Sequence, residues 1–271
     1  MTAPGPAEGG ALGAVDAVDA LVLAAMPEEI AALRAMLADL RPLAGSLWRA
    51  RWRGRDVALA ITGDGERNAQ AGAAAALGRL RPRVVIGIGV AGALSPELAT
   101  GELVLGRRVM REQGDAGEVP PPWLVEAARP TGARPAALIS VPRLAATVTE
   151  KQRLAAIAAA RAPGLVAAVD LESAAFAAAA IARGLPWLIL RAISDSASEA
   201  LPQLLSRCLD DGGAVRRGLL AARLLGAPSA LPQLLRLRQR VRACAAALAA
   251  ATTAVIESTG ADQTSAAGAG A

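Results

Sequence analysis

A chain of 271 residues is long enough for one large α/β domain with a full core and needs no division into two. Hydrophobic residues make up 54%, much of it alanine, so the core has to close by tight helix packing, while aromatics at 2% leave few rings to stack on a base. The net charge of +5 rests on arginines scattered over predicted helix faces, without the aromatic interleaving of a nucleic-acid binder, and nucleic acid is excluded as a partner. Histidine is absent, so acid–base work falls to carboxylates. Two cysteines without a motif, Cys208 and Cys244, give neither a disulfide framework nor a metal site, and no cofactor is expected. The N-terminus lacks the pattern of a signal peptide and no uncharged apolar run reaches ~18 residues, so the chain reads as cytoplasmic.

Residues 1–18, rich in Ala, Gly and Pro, read as a disordered lead, 19–257 as the folded domain, and 258–271 as a disordered tail. Leu21–Ala25 has the pattern of a buried strand. Pro27 opens a helix with Glu28 and Glu29 in its first turn and Ile30, Leu33, Leu37 and Leu40 at helical spacing. Leu47–Trp52 and Asp56–Thr62 read as a hairpin turning at Gly54-Arg55. Gly63-Asp64-Gly65 then precedes a helix over Asn68–Leu80. Its N–H groups and Arg67 could bind an anion, or form a plain strand-to-helix turn with an exposed arginine.

The most apolar strand, Val84–Val90, ends in Gly87, Gly89 and Gly92. These spell G-x-G-x-x-G, but Pro96 and Gly101 break the stretch where a helix would have to start, so a glycine turn open to a ligand fits better than a dinucleotide fingerprint. Strands are expected at Glu102–Val109 and Leu138–Val141, with an unreadable Pro-rich loop between them, and a helix at Thr149–Ala160. Asp170 and Glu172 stand where a short apolar segment gives way to an Ala-rich helix that stops at Gly184-x-Pro186. The next strand, Trp187–Ile193, finishes in Ser194-Asp195. A helix start and a strand's C-terminal end are where α/β folds expose side chains to a ligand crevice. Taken singly, a dipole-favoured residue and a cap explain these acids equally well. Helices at 213–225 and 231–257 complete the alternation of an α/β fold.

Three blocks make the sequence similar to the nucleoside phosphorylase/nucleosidase superfamily. They are Ala25-Met26-Pro27-Glu28-Glu29; Gly87-Ile88-Gly89-Val90-Ala91-Gly92-Ala93-Leu94 with Gly101-Glu102-Leu103-Val104; and Val169-Asp170-Leu171-Glu172-Ser173-Ala174-Ala175 with Arg191-Ala192-Ile193-Ser194-Asp195. The resemblance covers residues 20–200. Ala200-Leu201-Pro202, Asp210-Asp211-Gly212-Gly213 and 231–237 further resemble the hopanoid-associated subgroup. It implies a single-domain nucleoside-phosphorylase-like α/β fold, a central mixed sheet flanked by helices, and a homo-oligomer. The implied activity is cleavage of an adenine nucleoside, lipid-linked in adenosylhopane, that releases adenine.

By the same resemblance Asp195 is the acid that protonates purine N7, and Glu29 positions the attacking water. Glu172 holds the ribose hydroxyls, Leu171 lies under the sugar, and Asp170, Ser194, Ala91 and Gly92 line the substrate site. Water is the favoured nucleophile. Phosphate at Gly65 and Arg67 remains the alternative, although Val90 replaces a hydroxyl residue common in relatives. Phe176 and Trp123 leave the base-stacking wall undetermined. A non-catalytic nucleoside-binding protein, or one that meets a membrane through its Arg-rich C-terminal helix, is the reading from a different class.

Overall fold

A computed structural model describes residues 16–114, 117–202, 208 and 231–268. Strand β1 (Asp16–Ala24) leads into helix α1 (Pro27–Met36), and β2 (Ala38–Ala44), β3 (Leu47–Trp52) and β4 (Arg55–Ile61) come next as an antiparallel set. Helix α2 (Glu66–Arg79) joins them to the long β5 (Leu80–Ala93) and then β6 (Leu103–Arg111). Short α3 (Pro122–Ala127), β7 (Arg134–Ser140), α4 (Val148–Arg161) and β8 (Val166–Asp170) continue the chain. Helix α5 (Ser173–Ile181), β9 (Trp187–Asp195) and the long α6 (Leu231–Gly268) complete the described residues.

The nine strands form one mixed sheet ordered β2-β3-β4-β1-β5-β8-β7-β6-β9. Strand β9 also pairs in parallel with β5, so β5, β8, β7, β6 and β9 close into a ring. The C-terminal ends of β1, β5 and β9 point the same way, and Gly92 and Ala93 of β5 pair with Val169 and Ala168 at the end of β8. The strand-to-helix turns after β1 and β8 and the C-terminal end of β9 therefore gather at one end, where an α/β sheet offers its ligand crevice.

Period-two burial puts the strands' side chains into two large clusters. On one face Leu21, Leu23, Val85 and Ile189 pack against the alanines of α2 and α5, whose small side chains let the helices lie close. On the other, Val22, Ile86, Ile88 and Leu190 meet Ile30 and Leu33 of α1 and Leu248 and Val255 of α6. Burying each Leu or Ile is worth roughly 1.5–3 kcal/mol.

Several boundaries differ from the sequence expectations. Strand β1 begins at Asp16, inside the expected lead, and the backbone of α6 continues helical to Gly268, into the expected tail. Helix α1 stops at Met36. Asp39 takes a positive φ of 53°, and Leu40 belongs to strand β2, which helical spacing had hidden. The glycine segment is no turn: β5 runs through Gly92 to Ala93. The expected helix at 213–225 and Asp210–Gly213 lie outside the described residues. Part of α6, Leu234–Thr259, is long and apolar enough to cross a membrane (mean hydropathy 1.3), but half of that stretch is buried, and the helix packs on α1 and β9.

Candidate active site

Glu29 sits in the first turn of α1 with its carboxylate turned back over the helix start. Oε2 accepts from Ala25 N and Met26 N, and Oε1 from Val90 N, each at 3.0 Å. The carboxylate is buried, and desolvation raises its pKa above the usual range even though Arg191 and these backbone donors oppose the rise. The Val90 N–H, with no side-chain hydroxyl, thus serves Glu29 itself.

Arg191 lies at the centre of β9, behind the apolar run Trp187–Leu190, and is buried. Its Nε donates to Asp170 Oδ2 at 2.6 Å and to Ser173 Oγ at 3.1 Å, and its guanidinium lies 5.7 Å from the Phe176 ring centroid. The three glycines of β5 make room for these groups. A Cβ on Gly87 would lie 2.5 Å from Ile189 Cδ1, and one on Gly92 2.9 Å from Asp195 Oδ2. A Cβ on Gly89 would lie 2.5 Å from Arg191 Nη1 and 2.7 Å from Glu29 Oε1. Arg191 Nη2 is buried without a hydrogen-bond partner among the described residues. A buried donor of this kind ordinarily meets a ligand or water.

Asp170 has both oxygens engaged by protein: Ser140 Oγ donates to Oδ1 at 2.7 Å, and Arg191 and Ser173 donate to Oδ2. With both oxygens so occupied, Asp170 holds the Arg191 guanidinium in place. Glu172 is the N-cap residue of α5, yet its carboxylate makes no cap bond and instead reaches α2, where Gly65 N donates to Oε1 at 2.8 Å. Gly65, with φ 82°, is the residue that frees this N–H for Glu172, so the expected anion donor is already taken. Arg67 is exposed on the first turn of α2.

A register shift in the β5–β9 pairing sets Asp195, not Ser194, opposite Gly92. Such bulges commonly re-aim a side chain beside an active site. Ser194 Oγ donates to Asp195 Oδ1 at 2.5 Å and lies 3.3 Å from the carbonyl of Ala91. Lys151 Nζ, from α4, donates to Asp195 Oδ2 at 2.5 Å. Leu171 is half-buried against a smaller apolar cluster that includes Ile139, Leu154 and Val169, Phe176 is a core residue, and Trp123 is exposed on α3. Lys151, Arg191, Ser140 and Ser173 are partners that the acids alone did not announce.

Residues 19–148 match the sequence profile of the Phosphorylase superfamily. The 5'-methylthioadenosine/S-adenosylhomocysteine nucleosidase of Marinomonas sp. (strain MWYL1) is 32% identical over 204 residues, 67% of this chain and 87% of that protein. Its counterpart in Geobacillus kaustophilus (strain HTA426) is 33% identical over 202 residues, 66% and 85% of the two chains. The chain belongs to the phosphorylase superfamily of nucleoside-cleaving enzymes. The fold agrees: the crystal structure of the Neisseria meningitidis 5'-methylthioadenosine/S-adenosylhomocysteine nucleosidase with methylthio-immucillin-A superposes with a TM-score of 0.68. It is 21% identical, over 89% of this chain and 99% of that one. Futalosine hydrolase of Helicobacter pylori strain 26695 superposes at 0.64, with 16% identity over 90% of this chain and 98% of that one.

In this superfamily member Glu172, like Glu29, is a buried acid whose pKa is raised. Burial, then the neighbouring Asp170 charge, pushes its pKa up to about 8, against the pull of Arg191. A folded pKa above the ordinary 4.5 means folding favours the protonated form. That contribution is fully present below pH 4.5 and is lost as pH rises through about 8. Glu172→Gln keeps an acceptor for Gly65 N–H without the buried charge. It is expected to raise the Tm of the ligand-free enzyme, more above pH 8 than below pH 4.5, while lowering turnover. A Tm gain that is the same at both ends of a pH series of thermal melts would contradict this origin.

Proposed function

We propose that this enzyme hydrolyses the N-glycosidic bond of an adenine nucleoside and releases adenine. The observation that carries the reading is the Glu29 carboxylate, held by three backbone N–H groups beside Arg191, whose Nη2 lacks a protein partner among the described residues. An anchored carboxylate facing a guanidinium can orient a water and take its proton. As C1′–N9 breaks, its electron pair stays on the base, which Asp195 neutralises by protonating N7. The sugar becomes cationic, Glu172 accepts hydrogen bonds from its hydroxyls, and the water held at Glu29 attacks C1′. The relatives' names, 5'-methylthioadenosine and S-adenosylhomocysteine nucleosidase, support adenine as the base.

Water is favoured over phosphate on three grounds. The Glu29 carboxylate would repel an incoming anion, Gly65 N–H is already bonded to Glu172, and Arg67 is exposed. On the 5′ side, the resemblance of residues 200–237 to the hopanoid-associated subgroup supports a lipid-linked substrate such as adenosylhopane. The first turns of α6 are consistent with approach to an anionic lipid surface: Arg236, Arg238 and Arg242 are exposed beside Leu235. Purified enzyme in phosphate-free buffer is expected to release adenine and a free ribosyl product, from a long-chain 5′-alkyl adenosine in preference to adenosine. Adenine release that stays at background until phosphate is added, with a ribose-1-phosphate-type product, would establish phosphorolysis instead. Binding without release under either condition would leave a nucleoside-binding protein.

A further inference from the structure

Of 29 basic residues only Lys151 is a lysine, and it is 1% exposed. Helix α4 delivers it from its first turns, behind the capping box of Thr147 and Glu150. Its Nζ donates to Asp195 Oδ2 at 2.5 Å, to the Ser196 carbonyl at 2.7 Å and to the Glu199 carbonyl at 2.8 Å. Three acceptors match the three hydrogens of an ammonium. Two of them are carbonyls that a neutral amine satisfies equally with its two N–H groups. The third is the carboxylate, so the only proton Lys151 can give up without losing a carbonyl contact is the one on Asp195.

The enzyme contains a contrasting pair a few residues away. Asp170 is held by Arg191, also buried, through a guanidinium that does not release its proton. A chain that otherwise uses only arginine places its single lysine on the carboxylate that has to transfer a proton. Asp195 also lies within hydrogen-bond distance of Ser194 Oγ, so both of its oxygens have protein partners. Among the described residues, the Glu199 carboxylate near the pair is held by Arg240 at 2.7 Å through both oxygens, and the Cys244 thiol lies close by on α6.

We infer that Lys151 is the positioning residue that stores the proton Asp195 delivers to the leaving base, an inference that rests on the reading of Asp195 as the acid. As C1′–N9 breaks and its electron pair stays on adenine, Asp195 passes a proton to N7 while Lys151 passes one to Asp195. The carboxylate is regenerated and the lysine is left as a neutral amine. The proton from the attacking water, taken first by Glu29, returns through solvent to restore the ammonium. The sum is nucleoside plus water giving adenine plus ribosyl product.

The test compares two substrates in the full-length enzyme: adenosine, whose base leaves with a proton, and 4-nitrophenyl β-D-ribofuranoside, whose leaving group departs as a stable anion. Lys151→Met and Lys151→Arg are both expected to lose ~10²-fold or more in kcat on adenosine, the contribution of a general acid, and only a few-fold on the nitrophenyl riboside. Asp195→Asn should show the same selectivity. Lys151→Gln serves as the second neutral variant, with thermal melts reporting the fold. An arginine variant with near-native adenosine turnover would overturn the proton store, because the charge alone would then suffice. Equal losses on both substrates would reduce Lys151 to a structural anchor. If Asp195→Asn is not selective either, the reading of Asp195 itself fails. If it is selective and the lysine variants are not, that reading stands without Lys151.

Discussion

Glu29→Gln is expected to lower adenine release by ~10²–10⁴-fold, the range of a positioned general base, with little change in KM. The two oxygens of Glu29 between them accept from Ala25 N–H, Met26 N–H and Val90 N–H. An amide has only one acceptor oxygen, so either flip turns its NH₂ against a backbone N–H. The clash leaves at least one buried donor unmet, at about 1–3 kcal/mol of stability. The variant therefore loses both the base and its anchoring, and its Tm should fall with its turnover. Glu29→Ala removes the clash but not the loss of the base, so it should be comparably inactive. Turnover of either variant within a few-fold of the parent, measured as adenine release with saturating nucleoside, would take Glu29 out of the reaction.

Asp195→Asn is expected to reduce kcat by ~10²-fold or more with nucleoside binding retained. Here the amide fits: its oxygen can accept from Lys151 Nζ and its NH₂ can donate to Ser194 Oγ, so the two protein contacts of Asp195 survive. What disappears is the ability to pass a proton. The two variants thus separate two kinds of loss, a disrupted carboxylate at Glu29 and a preserved geometry without proton transfer at Asp195. A kcat for Asp195→Asn within a few-fold of the parent would remove the acid role.

The main acids were legible because carboxylates at a helix start and a strand end are unusual beside apolar segments. Glu172 and Asp195 do lie at those junctions, buried and partnered. Asp170 was legible as important but not as Arg191's holder, since a contact between β8 and β9 is set by the sheet rather than by spacing along the chain. Lys151 carried a signal, a lone lysine in an alanine-rich helix, but nothing local links α4 to the end of β9. Gly87, Gly89 and Gly92 read as a turn because glycine is a turn residue. Inside β5 they instead give space to Ile189, Arg191, Glu29 and Asp195, an effect of neighbours that only the folded sheet supplies. Strand β2 was missed because Leu40 continued the helical spacing of α1, whereas the helix ends before Asp39 turns left-handed.

The closure of β9 against β5 fixes the order in which this protein can become an enzyme. Val85 pairs with Trp187 and Gly89 with Arg191, contacts spanning about a hundred residues of chain, whose loop-closure entropy has to be met before they stabilise anything. The hairpin of β3 and β4 and the adjacent β1 can organise without them. Arg191 and Asp195, by contrast, arrive on the strand that completes the ring, so the candidate catalytic groups come together only when these distant contacts form. Recovery of activity during refolding is thus a direct clock for ring closure, whereas helical signal, much of it from local helices, reports earlier events.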